Sequence, residues 1–221
     1  LTVNGNVSLD GGTIKLDGNY PTGTANVALG DTALDSLTSG AYNTAVGHNS
    51  GTALTTGGNN TIMGGLAGDA LTTGSFNVAL GVTALSSDDV GSHAVAVGYG
   101  ALASQNYSSA TNGYNTAVGS NAGYAITTGI NNTLIGGTAG TTNTTGGNNT
   151  ALGYGALYYN TTASHNTATG VSALQNNTTG TQNAAFGSQA LLSNTSANNN
   201  VGVGYQAAYS TTTGNNNVAM G

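Results

Sequence analysis

A five-residue motif of the form Asn-x-Ala-apolar-Gly recurs twelve times, and ten of the eleven spacings between its closing glycines are 17 residues. The remaining spacing, from Gly98 to Gly119, is 21 residues. A fixed short period predicts a solenoid, because one repeat is too small to bury a core alone and must stack on its neighbours. The closing glycines are Gly30, Gly47, Gly64, Gly81, Gly98, Gly119, Gly136, Gly153, Gly170, Gly187, Gly204 and Gly221.

Asparagine opens the motif in eleven of the twelve copies, and Ala94 is the exception. Stacked asparagines can hydrogen-bond to the copies above and below them, so we predict a polar ladder along the rod. The Asn and Gly residues that define this structural repeat most regularly are Asn43, Gly47, Asn60, Gly64, Asn77, Gly81, Asn115, Gly119, Asn132, Gly136, Asn149 and Gly153.

Large and small residues alternate inside the motif. A large apolar residue precedes the closing glycine in eleven copies, with Thr169 as the exception, and the residue before it is nearly always alanine. A period of two is typical of a short strand with two different faces. We predict that the large residues form a thin continuous core and that the alanine face lets a neighbouring chain approach closely.

The rest of each repeat contains a second small patch and a polar turn. The patch is Ala-Leu or Ala-Gly, as in Ala33-Leu34 and Ala67-Gly68, and we interpret it as a second short strand. The turn is often Thr-Thr-Gly, as in residues 55–57 and 72–74, where glycine can supply a positive φ.

These patterns predict an all-β protein, a parallel β-solenoid of about twelve 17-residue coils. The solenoid shaft is expected over residues 23–221, with one four-residue insertion between 98 and 119, after a lead-in β linker over residues 1–22. At roughly 4.8 Å per stacked strand the rod would be about 58 Å long. Because the chain begins at Leu1 and closes on a repeat glycine, we expect it to be a piece of something longer.

Composition narrows the possible functions. Only 4% of residues are charged and the net charge is −6, with Lys15 as the single cation, which argues against nucleic-acid binding. The sequence has no apolar run long enough to insert into a membrane. Low charge is also typical of disordered tracts, but a disordered tract would not keep large apolar residues at one position in eleven of twelve repeats.

A core this thin favours association between chains. The sequence has no cysteine for disulfides and only seven acidic residues for metal binding, so oligomerisation is the remaining source of stability. We predict a parallel homotrimer with no cofactor, in contact through the alanine face.

The motif Asn43-Thr44-Ala45-Val46-Gly47 resembles the head repeats of trimeric autotransporter adhesins, which form a left-handed parallel β-roll in a homotrimer. That family's repeat is shorter. The 17-residue form is more similar to repeats of phage tail-fibre proteins, and residues 1–18 resemble the linker strands of such fibres. The resemblance implies an extracellular location, on a virion tail fibre or a cell surface, and a role in host or surface attachment.

Few residues are candidates for chemistry. His93 and His165 share one position of the repeat and would form rings of three in a trimer, but they lie several coils apart and surface histidines are the simpler interpretation. Asp88-Asp89 is the one acidic pair, and we expect it in a solvated turn rather than in a glycosidase site. We therefore predict no catalytic, cofactor-binding or metal residues.

The insertion brings Tyr99, Tyr107 and Tyr114 close together in sequence. Exposed aromatic rings can stack on sugars, so these tyrosines are candidates for contact with a cell-surface glycan or receptor. A tolerated loop insertion is the alternative.

The sequence thus predicts a non-enzymatic structural segment of an extracellular fibre. Two alternatives stay open. Asn-x-Ser/Thr sequons such as Asn59, Asn131 and Asn148 would suit a glycosylated cell-surface filament. Regular threonines would suit an ice-binding solenoid, although the Thr-Thr pairs lie beside turn glycines and drop out of several coils.

Overall fold

A computed structural model describes residues 23–221, and the predicted lead-in over residues 1–22 lies outside this range. The described chain is an all-β parallel solenoid without helices, which confirms the predicted fold class. Twelve strands form one sheet in the order β1-β2-β3-β4-β6-β8-β9-β10-β11-β12-β13-β14, and β5 and β7 form a second, two-stranded sheet. The strands are β1 Val27–Leu29, β2 Thr44–Val46, β3 Thr61–Met63, β4 Val78–Leu80, β5 Gly91–Ser92, β6 Val95–Val97, β7 Thr111–Asn112, β8 Thr116–Val118, β9 Thr133–Ile135, β10 Thr150–Leu152, β11 Thr167–Thr169, β12 Ala184–Phe186, β13 Val201–Val203 and β14 Val218–Met220.

Neighbouring strands pair in parallel with equivalent residues side by side, as in Ala28 opposite Ala45. The insertion does not disturb this register, because Ala96 of β6 still lies opposite Ala117 of β8. Asn106 N donates to Thr127 O at 3.0 Å, and Thr111 of β7 pairs with Gly91 of β5, so the chain leaves the coil after Asn106 and rejoins it at Thr111.

The two strand faces are oriented opposite to the prediction. The middle residue of each strand points inward, and in the sheet interior this column of mostly alanine is fully buried (0% exposed at Ala45, Ala79 and Ala96). The large apolar residues that precede the closing glycines point outward; Leu152, for example, is 45% exposed. The predicted large-residue core and alanine contact face were therefore wrong.

The second Ala-Leu patch supplies the missing core volume. We define the leucine column as the fourth residue after each closing glycine: Leu34, Gly51, Gly68, Leu85, Leu102, Gly123, Gly140, Leu157, Leu174, Leu191 and Ala208. Its leucines are fully buried opposite the middle-strand alanines. The solenoid is too narrow for two large side chains at one level, so one wall must be small where the other is large.

Two positions show this compensation directly. Ile62 and Leu134 replace the middle-strand alanine, and the leucine column is glycine on both sides of each. A Cβ at Gly123 or Gly140 would lie 2.8 Å from a Cδ atom of Leu134, closer than van der Waals contact allows. Whether a repeat reads Ala-Leu or Ala-Gly therefore depends on the size of the middle-strand residue that packs against it across the core.

The leucine column is not a strand, contrary to the prediction. Leu34, Leu85 and Leu174 have φ of 54°, 55° and 49°, in the left-handed region. A coil of 17 residues must reverse direction within a few residues, and left-handed residues make these corners. Backbone bonds still join the coils here, as in Leu34 N to Ser50 O at 3.1 Å.

The positive φ predicted for the Thr-Thr-Gly turns is wrong, because Gly57 and Gly74 do not have a φ in the left-handed region. Glycine is needed there for close approach of the coils. A Cβ at Gly57 would lie 2.2 Å from Gly74 O, and a Cβ at Gly74 would lie 2.2 Å from Gly91 O.

Asparagine forms the predicted ladder, mainly through bonds to the backbone. The buried Asn60 side chain accepts a bond from Asn77 N at 2.9 Å and donates to Gly74 O at 3.0 Å, and it also donates to Asn43 Oδ1 at 3.0 Å. A second ladder, which sequence reasoning missed, occupies the third residue after the leucine column. Its members are Asn143, Asn160, Asn177 and Asn194.

Candidate functional site

The outer face of the large sheet is the most extensive candidate surface. We define the outer sheet face as the first and third residues of the twelve strands in that sheet. The first residue is threonine, valine or alanine, and the third is Leu29, Val46, Met63, Leu80, Val97, Val118, Ile135, Leu152, Thr169, Phe186, Val203 and Met220. No charged residue occurs at these positions, and all third residues are half-buried or exposed.

The size of this face can be estimated from strand geometry. Twelve strands about 4.8 Å apart, with side chains about 7 Å apart along each strand, give an outer face of roughly 400 Å². Its third-residue column is apolar except at Thr169, and half of its first residues are threonine. That value is comparable with the largest patch a soluble monomer exposes, and such patches usually mark interaction sites. In-register pairing extends the stripe along the described rod, with one interruption at β11, where both outer residues, Thr167 and Thr169, are threonine.

The three tyrosines predicted to contact glycan do not form one surface. Tyr107 is only 4% exposed, so it is not the exposed ring that the predicted contact requires. Asn115 Nδ2 donates to the Tyr107 hydroxyl at 3.1 Å, and that hydroxyl donates to Gly129 O at 3.2 Å. Burial raises the pKa of Tyr107, which is a core residue that anchors the inserted loop.

Asp88 is also buried, contrary to the expected solvated turn. Gly91 N donates to its Oδ1 at 2.9 Å and Gln105 Nε2 donates to its Oδ2 at 2.6 Å. Burial raises the pKa of the Asp88 carboxyl above its ordinary value of 3.8, and the two hydrogen bonds oppose that shift without overcoming it. Asp88 and Gln105 lie where Leu37, Leu54 and Leu71 fill earlier coils, so this carboxyl belongs to the interior polar network and not to an exposed acidic pair.

Tyr114 is exposed and lies in a short aromatic stack. The His93 ring lies 5.0 Å from the Phe76 ring and 5.1 Å from the Tyr114 ring, one residue from each of three successive coils. His165 is exposed at the same position of a distant coil. Among the described residues, no three or more His, Cys, Asp or Glu side chains come together as a metal site.

Tyr99 lies on a different part of the surface and forms an open cleft with Asn121, Tyr124 and Thr141, of about 270 Å³. Tyr99 and Tyr124 are both exposed. Tyr124 was not singled out from the sequence, because it lies in the next coil and only the stacking of coils brings it beside Tyr99. The spacing of coils places Ser120, and not Tyr124, at the position equivalent to Tyr99, so repeat alignment alone does not point to Tyr124.

No family model, curated protein or solved structure matches this chain. Within residues 23–221 no helix is long and apolar enough to cross a membrane. The functional argument therefore depends on the two surfaces, the outer sheet face and the Tyr99 cleft.

Proposed function

We propose that this chain is a non-enzymatic structural segment of an extracellular fibre that self-associates through the outer sheet face and gives the fibre reach for attachment to a host or surface. The observation that carries this proposal is the uncharged outer sheet face, with a column of large apolar residues that only Thr169 interrupts, on the outside of a rod. A stripe of this kind repeats along the axis, so it matches a second parallel copy of the same rod at every coil.

The interior supports a passive structural role. Along the shaft the buried asparagines pair with the backbone of neighbouring coils, and the leucine column packs with the middle-strand residues and with Leu37, Leu54 and Leu71 in the rest of the core. Side chains of this kind hold coils in register and stiffen the rod. The acidic residues, seven in the whole sequence, are too sparse for the clustered carboxylates of a polysaccharide-cleaving solenoid.

The resemblance of the repeats to phage tail fibres and autotransporter adhesin heads supports a homotrimer, and with it a location on a virion or a cell surface. In such an assembly three outer sheet faces would surround a common axis. The large apolar residues, rather than the alanines, would make the contacts between chains. A bundle of three rods would also carry three copies of any weak attachment site on the outside of the fibre, which raises the apparent affinity.

Light scattering coupled to size-exclusion chromatography tests self-association. We expect a mass three times the 21.4 kDa of one chain. Leu152→Asp places a charge on the outer sheet face and should dissociate the assembly, because a buried unpaired carboxylate is strongly unfavourable. Thr162→Asp is the matched control, since Thr162 is exposed in a turn of the following coil.

A folded wild-type monomer at micromolar concentration would refute self-association. Equal dissociation by Leu152→Asp and Thr162→Asp would show that the outer sheet face is not the contact surface.

A further inference from the structure

We infer that the cleft formed by Tyr99, Asn121, Tyr124 and Thr141 is a binding subsite for a neutral pyranose ring of a glycan. This inference deepens the attachment part of the proposed function and rests on it. It replaces the sequence-based set of three tyrosines with two aromatic rings that are both exposed and share one cleft.

The cleft forms where the second residue after a closing glycine is itself glycine, whereas most coils have a side chain at that position. Gly100 follows Tyr99 and has φ of +63°, and a Cβ there would lie 2.6 Å from Asn121 Oδ1 and 3.3 Å from Tyr124 Cδ2. Glycine at this position therefore lets the Asn121 amide and the Tyr124 ring close over the backbone next to Tyr99. Any side chain at residue 100 would push them apart.

Hydrogen bonds between coils hold the walls of the cleft. Asn121 N donates to Tyr99 O at 2.8 Å, and Thr141 Oγ1 donates to Asn121 O at 2.9 Å. Ser104 N donates to Tyr124 O at 3.0 Å. The backbone of the cleft is thus fixed by three successive coils, which lowers the entropy lost when a ligand binds.

The chemistry of the lining suits a sugar. The faces of aromatic rings carry partial negative charge, which attracts the weakly positive axial C–H groups of a pyranose. The Asn121 side-chain amide makes no hydrogen bond to the described protein, so it can both donate to and accept from sugar hydroxyls. Among residues 23–221 no charged side chain lines the cleft, which favours a neutral ring over an anionic one.

The small size and the exposure of the cleft determine how strongly we expect it to bind a sugar. At about 270 Å³ the cleft is just below the usual range of small-molecule pockets, so it suits a single ring rather than a long oligosaccharide. A single exposed contact of this kind should bind with a dissociation constant in the range of about 1–10 mM. Several copies along one fibre would raise the apparent affinity for a dense glycan layer.

The chain contains its own control. The sequence Tyr-Gly-Ala-Leu occurs at residues 99–102 and again at residues 154–157. Tyr154 is 63% exposed, about as exposed as Tyr99, but Ser172 and Gln175 take the places of Asn121 and Tyr124 near Gly155. Tyr154 is therefore an equivalent exposed ring without a second aromatic wall.

Saturation-transfer NMR on the full chain tests the inference with the methyl glycosides of glucose, galactose and mannose and with N-acetylglucosamine. We expect transfer to the ring protons of at least one of them. Tyr99→Ala and Tyr124→Ala should each weaken binding about tenfold, Tyr99→Phe should retain it, and Tyr154→Ala should leave it unchanged.

Absence of transfer with every glycoside at 20 mM, about twice the largest dissociation constant expected, would overturn the inference. Equal loss in Tyr99→Ala and Tyr154→Ala would overturn it too, as would a preference for N-acetylneuraminic acid over the neutral sugars. Asn121→Ala is a second variant that weakens binding without removing a ring. Light scattering on the same samples separates the two proposals, because a wild-type chain that assembles but shows no transfer to any glycoside rejects the cleft alone.

Discussion

The reciprocal packing of the middle-strand residues and the leucine column predicts a strong coupling that can be measured. Leu134 is buried between Gly123 and Gly140, and both glycines lie against its Cδ atoms. Leu134→Ala removes three buried carbons and leaves a cavity, because the neighbouring Gly123 and Gly140 have no side chains to fill it. Leucine-to-alanine changes in cores cost 2–5 kcal/mol, and we expect about 3 kcal/mol here.

Gly140→Leu alone should also destabilise the protein. Its Cβ would lie 2.8 Å from Leu134 Cδ2, and overpacking of this kind costs about 1–3 kcal/mol. The backbone itself does not resist the change, because Gly140 has φ of 57° and Leu157, its equivalent in the next coil, has φ of 53°. Together, Leu134→Ala and Gly140→Leu recreate the Ala-Leu pair of most other coils. The double variant should therefore lie close to the wild type, with a coupling energy of about 3 kcal/mol or more.

Thermal unfolding followed by circular dichroism, at one protein concentration, measures this cycle. For a chain of this length about 3 kcal/mol lowers the melting temperature by roughly 6–12 °C, so each single variant should be clearly separated from the double variant. Leu134→Ala combined with Gly68→Leu is the matched control. Gly68 occupies the same column in a distant coil, beside Ile62, so its effect should simply add. If the Leu134→Ala, Gly140→Leu pair were also additive, the proposed packing across the core would be refuted.

Two further predictions concern a buried carboxyl and a closing glycine. Because burial raises the folded-state pKa of Asp88 above 3.8, its favourable contribution is complete below that pH and is lost as pH rises through the folded-state pKa. The melting temperature of wild type relative to Asp88→Asn should therefore fall between pH 4 and pH 7, and a difference independent of pH would contradict this. Gly64 has φ of +135°, and a Cβ would lie 2.5 Å from Gly81 O, so Gly64→Ala should destabilise by about 3 kcal/mol or more in thermal melts. Gly65→Ala meets no atom within 4 Å and should be nearly neutral; equal effects would show that the closing glycine is not constrained by its backbone.

Much of the fold follows from the period alone. Equal spacing of the Asn and Gly residues dictates a coil length, and identical coils can satisfy their backbones only by parallel, in-register stacking. The register of β6 on β8 across the insertion was predictable for the same reason, since the motif resumes unchanged after it. The candidate surfaces were less predictable. Tyr99 was predicted as an exposed ring and is exposed, whereas Tyr107 was predicted as exposed and is buried, because the burial of a loop tyrosine depends on contacts between coils. Tyr124 was not predicted, because only the stacking of coils brings it into the same cleft as Tyr99.

The sequence by itself determined the coil length, the parallel stacking and the asparagine ladder. It also showed that each strand has two unlike faces, but alternation of large and small residues is symmetrical and does not say which face is inside. Only the tertiary structure decided that. The leucine column reaches the core from the opposite wall, the narrow interior leaves room there for alanine alone, and the large residues of the strands are thereby turned outward to form the outer sheet face.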